Sequence, residues 1–253
     1  MAKGCLTTMP SSFLAHAWAS TPLRVAVVAL VTLGFALLAR VLRGVTLSGA
    51  IAGGVACFLL FGGAGPPAFA LLAALFAMTW ASTRLGYRQK LALGLAERRE
   101  GRNGWQVFAN LAAAATSSVM YSATANRAWL VATMAALCEA ATDTVASEIG
   151  QVRNRQARLI TTAKPVPAGT DGGITIYGTM AGFGAGLLLA LIGLAAGMVV
   201  PRQFWIPLAA GFAGMLGDSL LGATLQHHGW IDNRTVNFLS TIGAAALAYA
   251  ISS

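Results

Sequence analysis

Only eight acidic side chains occur in this 253-residue chain, and four of them interrupt apolar sequence where hydrocarbon would be expected. Glu139, Asp143 and Glu148 punctuate the stretch EAATDTVASE, and Asp218 sits inside GMLGDSLLGATLQ. An acid in a membrane-embedded helix costs about 2.5 kcal/mol or more on insertion scales, so its presence points to a task. Glu139 and Asp143 lie four residues apart and share one helical face, which Ser147 continues. Glu148 falls nearer the opposite side unless the helix unwinds at Gly150. Carboxylate oxygens, completed by phosphate oxygens and water, form the shell that Mg²⁺ prefers. Asp143, Glu148 and Asp218 are therefore the candidate metal ligands and catalytic acids. An ion pair with a basic loop residue or a proton-transfer site would account for the same acids. Ser219 adjoins Asp218, and the nearby Gly217 and Gly222 permit close approach of another helix or a ligand.

Two basic segments supply the complementary charge. The first, RLGYRQKLALGLAERREGRNG over residues 84–104, mixes six cations with Glu97 and Glu100. Arg98, Arg99, Arg102 and Asn103 lie at its end, and Arg102, Gln106 and Asn110 follow at a spacing of four. That spacing draws a polar stripe down one helical face, which must meet protein or a water-filled cavity. A solvated loop that only sets topology explains Arg84 and Arg88 as well, and an interhelical hydrogen bond would explain Asn110. The second segment, TTAKPVPAGTDGG over residues 161–173, carries Thr161, Thr162, Lys164, Gly169, Thr170, Gly172 and Gly173. Its prolines stiffen the chain while its glycines free tight turns. It leads directly into an apolar run, so the Gly172 and Gly173 amides are expected at a helix N-terminus, a geometry that suits an anion, with Lys164 as countercharge. The spacing is not that of a Walker A loop. An ordinary Pro/Gly turn is the competing account.

The elements that must position these groups are membrane helices. The chain is 57% hydrophobic and 10% charged, where a soluble domain carries about 25% charged residues. The expected fold is all-α: one polytopic transmembrane domain over residues 1–253, packed through abundant Gly and Ala. Eight candidate spans occur at about 23–40, 47–62, 67–83, 105–122, 128–149, 173–200, 204–226 and 236–251. The second, third and last are short, so six to eight crossings are compatible with the pattern. With eight, 13 of the 17 Lys/Arg side chains fall on one side. The excess places the segments 84–104 and 151–172 in the cytoplasm and both termini outside, in a multi-pass protein of a bacterial-type inner membrane. The net charge of +9 then reflects topology and attraction to anionic lipid or phosphate, and no nucleic-acid motif accompanies it. Cys5, Cys57 and Cys138 form neither a CxxC motif nor a disulfide framework. A short echo links Thr46–Gly53 (TLSGAIAG) to Thr175–Gly182 (TIYGTMAG), each entering a span. Gly/Ala faces would permit a homodimer and serve internal packing equally well.

Five blocks together resemble a known family: LSGAIAGG (47–54), RNGWQVFANL (102–111), TDTVASEIGQ (142–151), LITTAKPVPAGTDGGITIYGT (159–179) and GDSLLGATLQ (217–226). It is the integral membrane family of transmembrane protein 19 and the plant and cyanobacterial phytyl-phosphate kinases, and the blocks follow its order over most of the chain. One departure is Asp171, where the family commonly carries Asn. The resemblance implies phosphoryl transfer from a nucleoside triphosphate, with CTP the expected donor, to a phytyl or polyprenyl monophosphate lipid, giving the diphosphate. In such a reaction Asp143, Glu148 and Asp218 would hold Mg²⁺. Lys164, Arg102 and the Gly172–Gly173 amides would cradle phosphates, and Asn103, Gln106 and Asn110 would orient them. Arg98, Arg99, Ser147, Thr161, Thr162, Gly169, Thr170 and Ser219 complete the expected phosphate and nucleotide site. A transporter or lipid flippase using Asp143 and Asp218, or a CTP-dependent cytidylyltransferase, are the alternative readings.

Overall fold

The computed structural model describes residues 21–153 and 156–253. Lys3, Cys5, the expected placement of the N-terminus and Arg155 lie outside the described residues. Helices α1 (Thr21–Val41), α2 (Leu47–Arg84), the short α3 (Tyr87–Ala92), α4 (Gly104–Thr124) and α5 (Ala128–Arg153) come first. Three short strands follow, β1 (Gln156–Leu159), β2 (Pro165–Pro167) and β3 (Gly173–Ile174). Then come α6 (Ile176–Ala195), α7 (Trp205–Leu221), a π-helical turn at Gly222–Gln226 and α8 (Asn233–Ser252). The all-α membrane bundle expected from composition is what forms.

Helix α2 is two arms rather than one rod. A straight helix of its 38 residues would run about 57 Å. Its last turn nevertheless returns to the residues just before its first: Trp80 Nε1 and Arg84 Nη2 both donate to the carbonyl of Leu42, the former at 3.1 Å. The reversal is at Gly65 (φ 80°, ψ −170°), a backbone region essentially closed to residues with a Cβ. Pro66 and Pro67 follow and start the second arm without amide protons. The second and third apolar runs of the sequence are thus the two arms of a hairpin.

Among the described residues five helices are long and apolar enough to cross a membrane, with Leu47–Arg84 taken as one. Helices α4 and α5, which cover two of the expected spans, are not among the five, and α5 is the core helix. Every residue from Leu130 to Thr142 is buried, among them the polar Thr133, Glu139 and Thr142. A helix enclosed on all sides need not be uniformly apolar, provided its neighbours answer its polar groups. Glycines let those neighbours close in. A methyl on Gly211 would meet Cys138 Cβ at 2.7 Å, and one on Gly182 would strike the Thr142 carbonyl.

The connections sort to two ends of the bundle. At one end Thr46 N donates to Arg102 O at 3.0 Å, and Gln226 Nε2 donates to Asp171 Oδ1 at 2.7 Å. At the other, Arg127 reaches the Gly197 carbonyl at 3.3 Å and Asn126 reaches the Tyr249 hydroxyl at 3.4 Å. The segments grouped by charge in the sequence therefore share one end. The echo also has a counterpart: Thr46 and Thr175 each cap a helix, accepting from Gly49 N and Gly178 N at 3.2 and 3.0 Å. The segment 151–172, expected as a loop, instead carries β1 and β2, which pair antiparallel, and β1 also pairs with β3 just beyond it, in the order β2-β1-β3. Its tight turns give an exposed stretch of backbone its hydrogen bonds.

Candidate functional site

The polar end of the bundle contains a cavity of about 380 Å³ between α4, α5, α7, α8 and the β segment. Asp143 and Ser147 reach it from α5, Asp218 and Ser219 from α7, and Arg102, Gln106 and Asn110 from the start of α4. Asp143 and Asp218, 75 positions apart in sequence, therefore face one space, and their charges act on each other. Ser240 Oγ donates to Asp218 Oδ2 at 3.3 Å. Ser147 Oγ bonds back to the Asp143 and Thr144 carbonyls, both at 3.1 Å.

Arg102 is the cation set against Asp143. Its backbone is pinned on both sides, donating to Gly44 O at 3.0 Å and accepting from Thr46 N at 3.0 Å. Gly101 has φ 86°, and a methyl there would run into the Gly44 carbonyl. Gly49 is equally constrained, because its methyl would run into the Arg102 carbonyl. The guanidinium itself is under-used: Nη1 donates to Thr144 Oγ1 at 3.4 Å, and the buried Nε makes no hydrogen bond. A buried donor left unpaired costs about 1–3 kcal/mol, which an anionic ligand would relieve.

Gln106 and Asn110 are held in place by neighbours. The amide of Asn103 donates to Gln106 Oε1 at 2.8 Å, and Gln106 Nε2 donates to Glu97 Oε2 at 3.0 Å. Asn110 donates to the Gln106 carbonyl at 2.8 Å and accepts from Asn237 of α8 at 3.5 Å, so the interhelical reading of this residue is met. Asn103 does not line the cavity: its side chain caps α4 by accepting from Gln106 N at 3.1 Å. With Gln106 it forms a capping box.

Glu148 lines the cavity with Asp143 and Asp218, and its carboxylate is engaged by the fold. One carboxylate oxygen pairs with Lys90 Nζ at 2.5 Å and the other accepts from Thr83 Oγ1 at 3.0 Å. Lys90 is fully buried and spends its remaining protons on the carbonyls of Ser82 and Thr83, at 3.1 and 2.8 Å. An ammonium in that position needs an acid, and Glu148, which also lines the polar cavity, supplies it. Among the described residues no group of three His, Cys, Asp or Glu side chains is arranged to hold a metal ion.

The second basic segment divides. Gly169, Thr170, Gly172 and Gly173 line the cavity. Thr161, Thr162 and Lys164 occupy the exposed turn between β1 and β2, outside its walls, with Lys164 N donating to Thr162 Oγ1 at 3.4 Å. The Gly172–Gly173 pair does not begin the helix, since Thr175 caps α6 and Gly173 N donates to Thr170 O at 2.8 Å. Gly172 instead seats the turn against the segment just after α7, where a methyl would run into Ala223. The π-helical turn at Gly222–Gln226 receives it, and Gln226 holds Asp171.

A second cavity, of about 350 Å³, lies beside the first, walled largely by apolar residues of α1, α2, α4 and α5. Arg98 and Arg99 line this one rather than the polar cavity. Sequence reading missed Lys90, Thr83, Asn237 and Ser240 because each acts through a partner far along the chain; Lys90 and Glu148 are 58 residues apart.

Sequence comparison places the chain among known membrane proteins. The sequence pattern of the integral membrane protein DUF92 family matches residues 30–245. The chain is 35% identical over 188 residues to the uncharacterized membrane protein sll0875 of Synechocystis, covering 72% of this chain and 73% of that one. It is 32% identical over 207 residues to Protein VTE6 of Arabidopsis thaliana, covering 76% of this chain and 62% of the relative. A third relative, the uncharacterized membrane protein MJ0933 of Methanocaldococcus jannaschii, is 40% identical over 114 residues, which cover 45% of this chain and 47% of that one. No solved structure matches the chain. With most of its length inside the matched region, the chain belongs to the integral membrane protein DUF92 family.

Proposed function

We propose that the protein is a lipid-phosphate kinase that transfers the terminal phosphoryl group of a nucleoside triphosphate, CTP in the first instance, to an isoprenoid monophosphate. The observation that carries this reading is the convergence of Asp143, Asp218 and the under-bonded Arg102 on one polar cavity at the loop-bearing end of a membrane bundle. The resemblance to phytyl-phosphate kinases supports the acceptor class. In this reading the polar end faces the cytoplasm, where nucleotide is available.

Phosphoryl transfer asks a protein mainly for alignment and charge neutralisation. An oxygen of the lipid phosphate attacks the terminal phosphorus, the bridging P–O bond to the leaving diphosphate breaks, and CDP departs with that electron pair. No protein base is required, because the acceptor phosphate is already anionic near neutral pH. Arg102 binds the phosphate anions, while Gln106 and Asn110, fixed by Glu97 and Asn237, hold the polar wall in register. The donor set suits Mg²⁺, which is commonly held by one or two carboxylates plus substrate phosphates. Asp143 and Asp218 would hold it, and it would neutralise charge on the transferring phosphate. Glu148 is not needed for this.

Purified protein incubated with Mg²⁺, CTP and phytyl or geranylgeranyl phosphate is expected to yield the lipid diphosphate and CDP by mass spectrometry. Released pyrophosphate would establish cytidylyl transfer instead. Nucleotide-independent, proton-coupled uptake in liposomes, with no turnover across nucleotides and chain lengths, would establish a carrier.

A further inference from the structure

The apolar cavity borders the polar one along a common wall. Five residues, Glu97, Arg102, Gln106, Asn110 and Thr144, line both spaces. From that wall the second cavity runs away from the charged loops, past Ala50 and Gly53 of α2, toward Phe35 of α1, Leu72 of α2 and Leu111 of α4. Water gains little in an apolar recess, having too few polar partners there. An apolar chain would fill it with dispersion contacts. At the wall the chemistry reverses. The unpaired Arg102 Nε lies there, with Arg98 and Arg99 beside it and in no ion pair among the described residues. One space for hydrocarbon, one for charge, and an arginine between them match a molecule with an apolar tail and an anionic head.

We propose that the apolar cavity is the seat of the substrate's hydrocarbon chain, and that Gly53 and Phe35 set the chain length it accepts. The assignment rests on the lipid-phosphate kinase reading and adds to it a position for the acceptor. With its tail in this cavity, the head group meets Arg102 at the wall facing Asp143. The side opposite the wall is built rigidly. The Phe35 ring meets Phe69 and Phe76 edge-on, each with centroids 5.5 Å apart, so it cannot swing aside without losing two aromatic contacts. Gly53 leaves room beside it: a methyl there meets only Val107 Cγ1, at an ordinary 3.7 Å. A longer side chain grown from Gly53 therefore occupies space now open to the chain.

The two positions make opposite predictions. Gly53→Leu is expected to lower kcat/KM for geranylgeranyl phosphate by about tenfold or more relative to geranyl phosphate, since a mismatched hydrocarbon pocket discriminates about 10–200-fold. Phe35→Ala is expected to shift preference toward longer chains. Equal losses for geranyl, farnesyl and geranylgeranyl phosphates in both variants would overturn the assignment and leave the kinase reading standing. Should the wild-type protein turn over none of them, the kinase reading falls. Binding then decides the chain site: thermal stabilisation by geranylgeranyl phosphate that Gly53→Leu abolishes, while stabilisation by geranyl phosphate persists, supports it. Unchanged stabilisation by both lipids overturns it. Gly53→Leu also covers the case in which Phe35→Ala does not fold, because leucine is a better helix former than glycine.

Discussion

Two glutamates on α5 are almost equally hidden and differently treated. Glu148 has both oxygens occupied, by Lys90 and Thr83. Glu139, at 1% exposure, makes no hydrogen bond, and Gly214 of α7 packs against its side chain. The first braces α3 and the end of α2 onto α5. The second lies among Asp143, Asp218 and their shared field, where another negative charge is a burden. Burial alone therefore does not identify a functional acid. What separates the two regions is how fully the fold answers each acid: Glu148 has both oxygens bonded, Asp218 receives one hydrogen bond from Ser240, and the Glu139 carboxyl receives none.

The comparison breaks most visibly at the brace. Lys90→Met leaves Glu148 buried without a counter-ion and is expected to cost about 3–5 kcal/mol, read as a lowered thermal midpoint in detergent. Replacing both residues, Lys90→Met with Glu148→Leu, should recover most of that loss, whereas additive losses would refute the brace. At the cavity the signature inverts. Asp143→Asn and Asp218→Asn should each reduce turnover by about a hundredfold or more, with the midpoint nearly unchanged; a collapse in stability instead would make them braces too. Glu139→Leu sharpens the contrast, since removing an unsatisfied acid should leave stability unchanged or raise it by about 1–3 kcal/mol at most, read as an equal or higher midpoint. The smallest effect belongs to Asp232, which caps α8. Hydrogen bonds from the Thr235 side chain and amide and from Arg234 pull its carboxyl down to about 2. Its contribution is complete above the ordinary 3.8 and is lost as pH falls through about 2. Asp232→Ala should therefore narrow the gap in midpoint between neutral and acidic pH slightly, as a thermal titration would show.

Helical periodicity made part of this site readable in advance. The spacing of Arg102, Gln106 and Asn110 placed them on one face, and the cost of buried charge marked Asp143 and Asp218. Each of the eight apolar runs also has a helix within it, although the run at 173–200 begins in β3 and outlasts α6. What periodicity does not carry is partnership at a distance. Nothing near Glu148 names Lys90, and nothing near Asn103 separates a ligand from a cap until its bond to Gln106 N is seen. The strands at Gln156–Leu159 and Pro165–Pro167 were equally hidden, being too short and too proline-rich to show alternation. Their pairing put Lys164 on an outward turn when linear order had set it beside the glycines.

The reversal at Gly65 bears on how the protein is made. Both arms of α2 are apolar and adjoin in sequence, so they can enter the bilayer together as a pair soon after synthesis. With α1 they already provide most of the hydrocarbon-lined wall, formed by residues 35–84. Asp218 and the capping residues of α8 emerge well after these arms. The greasy half of the molecule is thus available as a template before its acidic half arrives, and the late helices bring their charges to a surface already sheltered from lipid.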